Sequence, residues 1–173
     1  MSYNTIVMSL IGTLLRRMNI NFIYLIFLSI LLLFPSLSLG NSSVDSTNNE
    51  IYCLAMAIYH EARGEPSKGK HAVANVVFNR SQLTNKSVCA TISVPYQFSW
   101  NNKNVPMPTG DQLNDVIPLS EEMYRRYRSG TLQDITNGST HFAHKKSKKK
   151  KWMKKYKRVL IVNNHVFYQG EYK

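Results

Sequence analysis

The sequence predicts an α+β fold, a helical lobe joined to a small antiparallel β-sheet, and three features predict it. Ile51, Leu54, Ala55 and Ile58 recur at i, i+3, i+4 and i+7, the spacing of a helix with one buried stripe. Ala72, Val73, Val76, Val77 and Arg80 repeat that pattern one element later. Near the end, Arg158 to Val162 and His165 to Tyr168 flank Asn163-Asn164, which is the form of two strands joined by a two-residue turn.

Residues 1–40 have a different character. Arg16 and Arg17 precede Ile20 to Phe34, an uncharged and strongly apolar run, which is followed by Pro35 and by Ser38-Leu39-Gly40. This is the layout of a secretory signal with a small-residue cleavage site, although Ile20 to Leu39 is also long enough for a retained membrane anchor. Both place the following domain outside the cytoplasm, in the periplasm or cell wall, because the two arginines keep the amino end inside. Residues 41–49 are polar and rich in Asn and Ser, as in a linker. The remainder, 50–173, has room for one ordinary domain.

The first helix should end near Arg63, since Gly64 suits a helix exit and Pro66 pushes Glu65 out of helical geometry. Glu61 falls at the edge of the buried stripe. A carboxyl there is partly desolvated, which favours its acid form, as a general acid at neutral pH requires. Ser67 is placed to cap the second helix. Asn75 and Asn79 lie four apart on it, beside the apolar stripe. Between Asp111 and Arg128, apolar residues mixed with charges suggest one or two helices interrupted at Pro118, with Gly130 as the stop.

Two cysteines, Cys53 and Cys89, are present. In an exported chain they are most simply one disulfide, with two buried free thiols as the alternative. No CxxC or HxxxH spacing occurs, so the sequence implies neither a metal set nor a cofactor. No Ser or Cys lies in a recognisable nucleophile motif.

The charge is uneven. The chain carries +12 in all, and Lys145 to Arg158 holds ten Lys and Arg with no acid. Outside that tract the exported part is balanced, so the basicity is a local device. A solvated mobile loop is one reading of such a run; the other is electrostatic attachment to a polyanion, an anionic wall polymer or a membrane surface. Nucleic acid is not the expected partner of an exported chain, and no obligate protein partner is evident.

Glu61-Ala62-Arg63-Gly64-Glu65 and Gly69 to Arg80, followed in order by Ser87-Val88-Cys89, Gln97-Phe98-Ser99-Trp100, Gly138-Ser139-Thr140-His141-Phe142 and Asn164 to Tyr168, resemble the motifs of a cell-wall hydrolase family. That family is typified by the spore-cortex-lytic enzymes SleB and CwlJ. The resemblance implies a lysozyme-like helical lobe with a small sheet, and cleavage of peptidoglycan glycan strands with Glu61 as the catalytic acid. It makes Gln97, Ser99, Trp100, Thr140, His141 and Tyr168 candidate cleft residues, with Phe98 in the core, and Arg63, Glu65, Asn75 and Asn79 supporting residues. The lysine tract departs from the family pattern, which has a short loop with a Trp here; Trp152 is retained. Lytic transglycosylation needs only one carboxyl, and hydrolysis, the muramidase alternative, normally uses two. A non-catalytic cationic wall-binding protein is the rival from another class. The short chain suits a phage endolysin or a small periplasmic enzyme equally.

Overall fold

The computed structural model describes residues 42–101 and 105–172. The expected targeting segment, 1–40, lies outside the described residues. Residues 41–173 form one compact unit. Its elements in chain order are α1 (Ser42–Ala62), α2 (Ser67–Thr84), α3 (Val88–Ile92), α4 (Gly110–Leu113), α5 (Ile117–Arg128), β1 (His141–His144), α6 (Lys151–Lys155), β2 (Lys157–Val162) and β3 (His165–Gln169).

Helix α1 is the centre of the helical lobe. Leu54, Ala55, Ala57 and Ile58 are fully buried, and each of the larger ones contributes about 1.5–3 kcal/mol by leaving water. The stripe read from the sequence covers only part of this, because α2, α3 and α5 pack on α1 from several sides. Residues 42–49, expected to be a linker, instead form the first turns of α1. Residues 44–49 are exposed, so the helix there is an extension of a segment that packing has already fixed. Glu50 marks the start of the packed part. Its Oε2 accepts the main-chain N–H groups of Val88, at 2.6 Å, and Cys89, at 3.3 Å, and so ties α1 to the start of α3. One residue pair further in, Cys53 and Cys89 are joined by a disulfide, with Cα atoms 5.2 Å apart.

Helix α2 is shared by both lobes. Ala74, Val77 and Phe78 enter the helical core with Leu54, Ile58 and Phe98, whereas Ala72 and Val76 pack on Val162 and Phe167 of the sheet. A helix with two apolar partners has little polar face left. Pro66, not Ser67, occupies the position before its first turn. Gly69 is required there, because a Cβ would stand 2.7 Å from the Cβ of Glu65. Pro118 opens α5 rather than interrupting it, since a missing N–H costs nothing in a first turn.

The sheet is antiparallel in the order β1-β3-β2. The turn between β2 and β3 is Asn163-Asn164, with Asn163 at φ 49°, a conformation Asn tolerates better than most residues. The third strand, β1, pairs His141 with Tyr168 and His144 with His165. The lysine tract is not one loop: it forms an exposed turn after β1, the short helix α6 and the start of β2.

Candidate active site

Glu61 lies in the last turn of α1, where the helix leaves the core beneath the 97–100 loop. Burial pushes its carboxyl above the usual range, against the opposing pull of Arg80, Trp100 and Lys150. A carboxyl held this way keeps its proton nearer to neutral pH than an exposed glutamate does. The indole of Trp100 faces it from the loop. Its N–H favours the carboxylate, and among the described residues Nε1 is buried with no hydrogen-bond partner that meets full geometry. His60 stacks on the same indole at 4.5 Å and 18°, which fixes the ring.

Arg80, read from the sequence only as part of an apolar stripe, is 4% exposed. Its guanidinium carbon lies 5.1 Å from the Phe98 ring centre and 5.0 Å from that of Tyr172. Nε donates to the carbonyl of Thr140 at 2.7 Å, while Nη1 has no hydrogen-bond partner among the described residues. Burial lowers its pKa to about 10, so it is charged at neutral pH. The available signal was a permanent cation on a face that otherwise reads as core.

Thr140 is buried, and its hydroxyl donates to the carbonyl of Gly170 at 2.8 Å. The same oxygen lies 2.9 Å from Nδ1 of His141, so Nδ1 carries the hydrogen and Nε2 is left as the acceptor. Thr140, a candidate cleft residue from the sequence, therefore sets the tautomer of His141. Burial, then Arg80, lowers the His141 pKa to about 4, and the ring is neutral at physiological pH. Rings of Trp152 and Tyr156 lie 5.3 and 4.6 Å from it. Tyr156 packs directly on the backbone of Gly170, where any Cβ would collide with its ring.

His141 and Gln97 line one groove of about 390 Å³ together with Tyr156, Glu171 and Tyr172. Tyr168 joins this edge through Trp152, whose ring lies 5.2 Å away. Ser99 is exposed on the loop beside Trp100, and Phe98 is buried. A larger cavity of about 910 Å³ runs between α1 and α5 past Ile51, Pro118 and Arg128; none of the expected site residues lines it.

The supporting residues divide. Asn79 Nδ2 donates to Asp134 Oδ2 at 3.1 Å and to the carbonyl of Ser139 at 3.0 Å, and Asn75 Oδ1 accepts from the N–H of Ile135 at 3.2 Å. Both therefore hold the 134–139 turn that delivers Thr140 and His141. Burial would raise the pKa of Asp134, but hydrogen bonds from Thr136, Gly138 and Asn79 outweigh it and lower the pKa. Glu65 is nearly buried and turned to the hairpin, where its Oε2 accepts from the N–H of Asn164. Arg63 is not drawn toward Glu61: it is exposed and bonds the Tyr59 hydroxyl at 3.0 Å.

Residues 64–168 match the family model described as Cell Wall Hydrolase. The chain belongs to the cell wall hydrolase family. The matched segment takes in Arg80, the 97–100 loop, His141 and the hairpin, and begins three residues after Glu61. Within the family, the chain is 47% identical over 89 residues to a spore cortex-lytic enzyme of Bacillus subtilis, covering 45% of this chain and 29% of that protein. It is 28% identical over 125 residues to a spore cortex-lytic enzyme of Halalkalibacterium halodurans, covering 70% of this chain and 35% of that one. The chain thus spans about a third of the length of these relatives. The fold is that of the SleB catalytic domain of Bacillus cereus, with a TM-score of 0.52 at 23% identity, covering 70% of this chain and 91% of that one. The catalytic domain of the germination-specific lytic transglycosylase SleB of Bacillus anthracis matches with the same TM-score and identity, over 94% of its length. These domains are lysozyme-like, a helical lobe with a small sheet, as expected from the sequence.

Proposed function

We propose that this chain cleaves peptidoglycan glycan strands between N-acetylmuramic acid and N-acetylglucosamine, as a lytic transglycosylase with Glu61 as general acid and then base. One observation carries the reading: Glu61 is desolvated beside Arg80 and Trp100, so its acid form is favoured at the helix end next to the aromatic loop. Membership of the family and the lytic transglycosylase named among the structural neighbours support it. In this scheme Glu61 protonates the glycosidic oxygen and the bond to the muramoyl carbon breaks. The sugar's own 6-hydroxyl then closes on that carbon and returns its proton to Glu61. The product is a 1,6-anhydro-muramoyl end, and no water is consumed. Gln97, Ser99, Trp100, His141 and Tyr168 would border the strand.

Hydrolysis is the second reading, favoured by Glu171, whose side chain lines the groove with Gln97 and His141. That carboxyl is exposed and lies 3.7 Å from Lys155 Nζ. Outside the site, the lysine tract would attach the protein to anionic wall polymers or a membrane surface, and residues 1–40 would export it to the periplasm or wall.

Mass spectrometry of muropeptides released from purified murein separates the readings. Transglycosylation yields ends lighter by one water than hydrolysis does. Glu61→Gln should abolish release, whereas a cationic binder without catalysis would keep its effect on walls.

A further inference from the structure

We propose that Lys155 is a recognition site for a free carboxylate on the peptide stem of the glycan strand, and that Glu171 fills that site in the free protein as an internal stand-in. The inference rests on the proposed function and deepens it by naming the substrate class that the groove takes, strands with acidic stems.

The site follows from how α6 packs. Trp152 and Tyr156 lie four residues apart and so share one side of the segment. Both rings meet His141, at 5.3 and 4.6 Å. That makes α6 one wall of the groove lined by Gln97, His141, Tyr156, Glu171 and Tyr172. Lys155, the neighbour of Tyr156, is thereby brought to the rim. Its Nζ lies 5.9 Å from the Tyr156 ring centre and 3.7 Å from Glu171 Oε2. Glu171 is held there through its main chain: the Tyr156 hydroxyl donates to its carbonyl at 3.3 Å, and the Tyr156 ring packs on Gly170.

Charge decides what this rim takes. The tract from Lys145 to Arg158 holds ten cations and no acid, and among the described residues it makes one ion pair, Lys155 with Glu171. Both side chains are largely exposed, so the pair is weak, and a carboxylate arriving along the groove exchanges with Glu171 at little cost. A peptide stem carries such a carboxylate. The sugars of a stem-bearing strand do not, because the lactyl group is tied up in its amide link to the stem. Lys148, Lys149, Lys151 and Lys154 are exposed with no acidic partner among the described residues, which sets Lys155 apart from them. Lys155 determines specificity and takes no part in breaking the bond.

The test compares dissociation constants for soluble glycan chains bearing peptide stems and for the same chains with their stem carboxylates amidated, using protein that carries Glu61→Gln so that nothing is cut. The preference for acidic over amidated stems should fall by about twofold to fivefold on adding Lys155→Gln and rise by a similar factor on adding Glu171→Gln. The gain from Glu171→Gln should vanish when both are changed. Both positions are exposed, so neither change threatens the fold. A pair with a merely structural role predicts another pattern, the two single variants shifting together. An unmoved preference in Lys155→Gln overturns the proposal. So does a Glu171→Gln gain that persists without Lys155, which would be simple relief of repulsion. An equal shift on changing Lys148, Lys149, Lys151 and Lys154 together also overturns it, because the effect would then belong to the field of the whole tract. Should the Glu61→Gln protein cut the chains at the wild-type rate, the reading of Glu61 fails instead, and the preference, taken then as a ratio of KM values, still decides on Lys155.

Discussion

Glu65 Oε2 accepts the main-chain N–H of Asn164 at 3.3 Å, and Oε1 of the same carboxylate lies 3.7 Å from Nδ1 of the buried His165. The second acid of the Glu61-Ala62-Arg63-Gly64-Glu65 segment is therefore committed to the hairpin turn. Burial lowers the His165 pKa, Glu65 opposes that, and His144 adds to it. Glu65→Gln keeps an acceptor for Asn164 and should leave turnover within about tenfold of wild type. Glu61→Gln should cost about 10²–10⁴-fold. Equal losses in the two variants, measured on the same murein, would make Glu65 a second catalytic carboxylate.

His141 gives a pH dependence of stability with a defined sign. Its folded pKa, about 4, lies below the ordinary histidine value of 6.5, so the unfolded chain takes up the proton first. The stability it contributes is complete above about pH 6.5 and declines as pH falls toward 4. Urea midpoints should drop over that window, and His141→Gln should flatten part of the drop.

Glu61 has the opposite sign. Its folded pKa is raised, so its contribution is complete below the ordinary glutamate value of 4.5 and is lost as pH rises through the folded value. Glu61→Gln remains neutral throughout. It should melt at a higher temperature than wild type at pH 7, with the two curves converging at pH 4. A lower melting temperature at pH 7 would mean that the carboxylate is well solvated.

The Cys53–Cys89 bridge closes a sequence separation of 36 residues, spanning the end of α1 and all of α2. Replacing both cysteines with serine should cost about 2–4 kcal/mol in denaturant unfolding, most of it through the freer unfolded chain. Activity at low temperature should persist, since Glu61 and Arg80 remain on their helices.

The exposed lysines of α6 and the preceding turn can be neutralised without touching the inward-facing Trp152 and Tyr156. Changing Lys148, Lys149, Lys151 and Lys154 to Gln should weaken sedimentation with purified walls by about tenfold at low salt and leave it unchanged near 0.5 M, where screening reaches a few ångströms. Turnover of soluble chains should be unaffected. Full attachment at low salt would assign the tract to solvation alone.

The chain's own pattern determined the two long helices, the hairpin and the desolvated position of Glu61, because these depend on residues close together in sequence. Periodicity reports which side of a segment is apolar, and a turn reports its own few residues. The reach of α1 through 42–49 was not legible, since an exposed polar turn extends a helix only after tertiary packing has paid for the nucleus. Nor was the setting of Arg80, whose partners Thr140, Phe98 and Tyr172 are brought from three separate segments. The same holds for Thr140, whose hydroxyl meets Gly170 only when β1 pairs with β3. Local sequence placed Glu61 at the helix end; contacts between distant segments decided that it is buried and that Arg80 and Trp100 act on it, and those surroundings set its proton affinity.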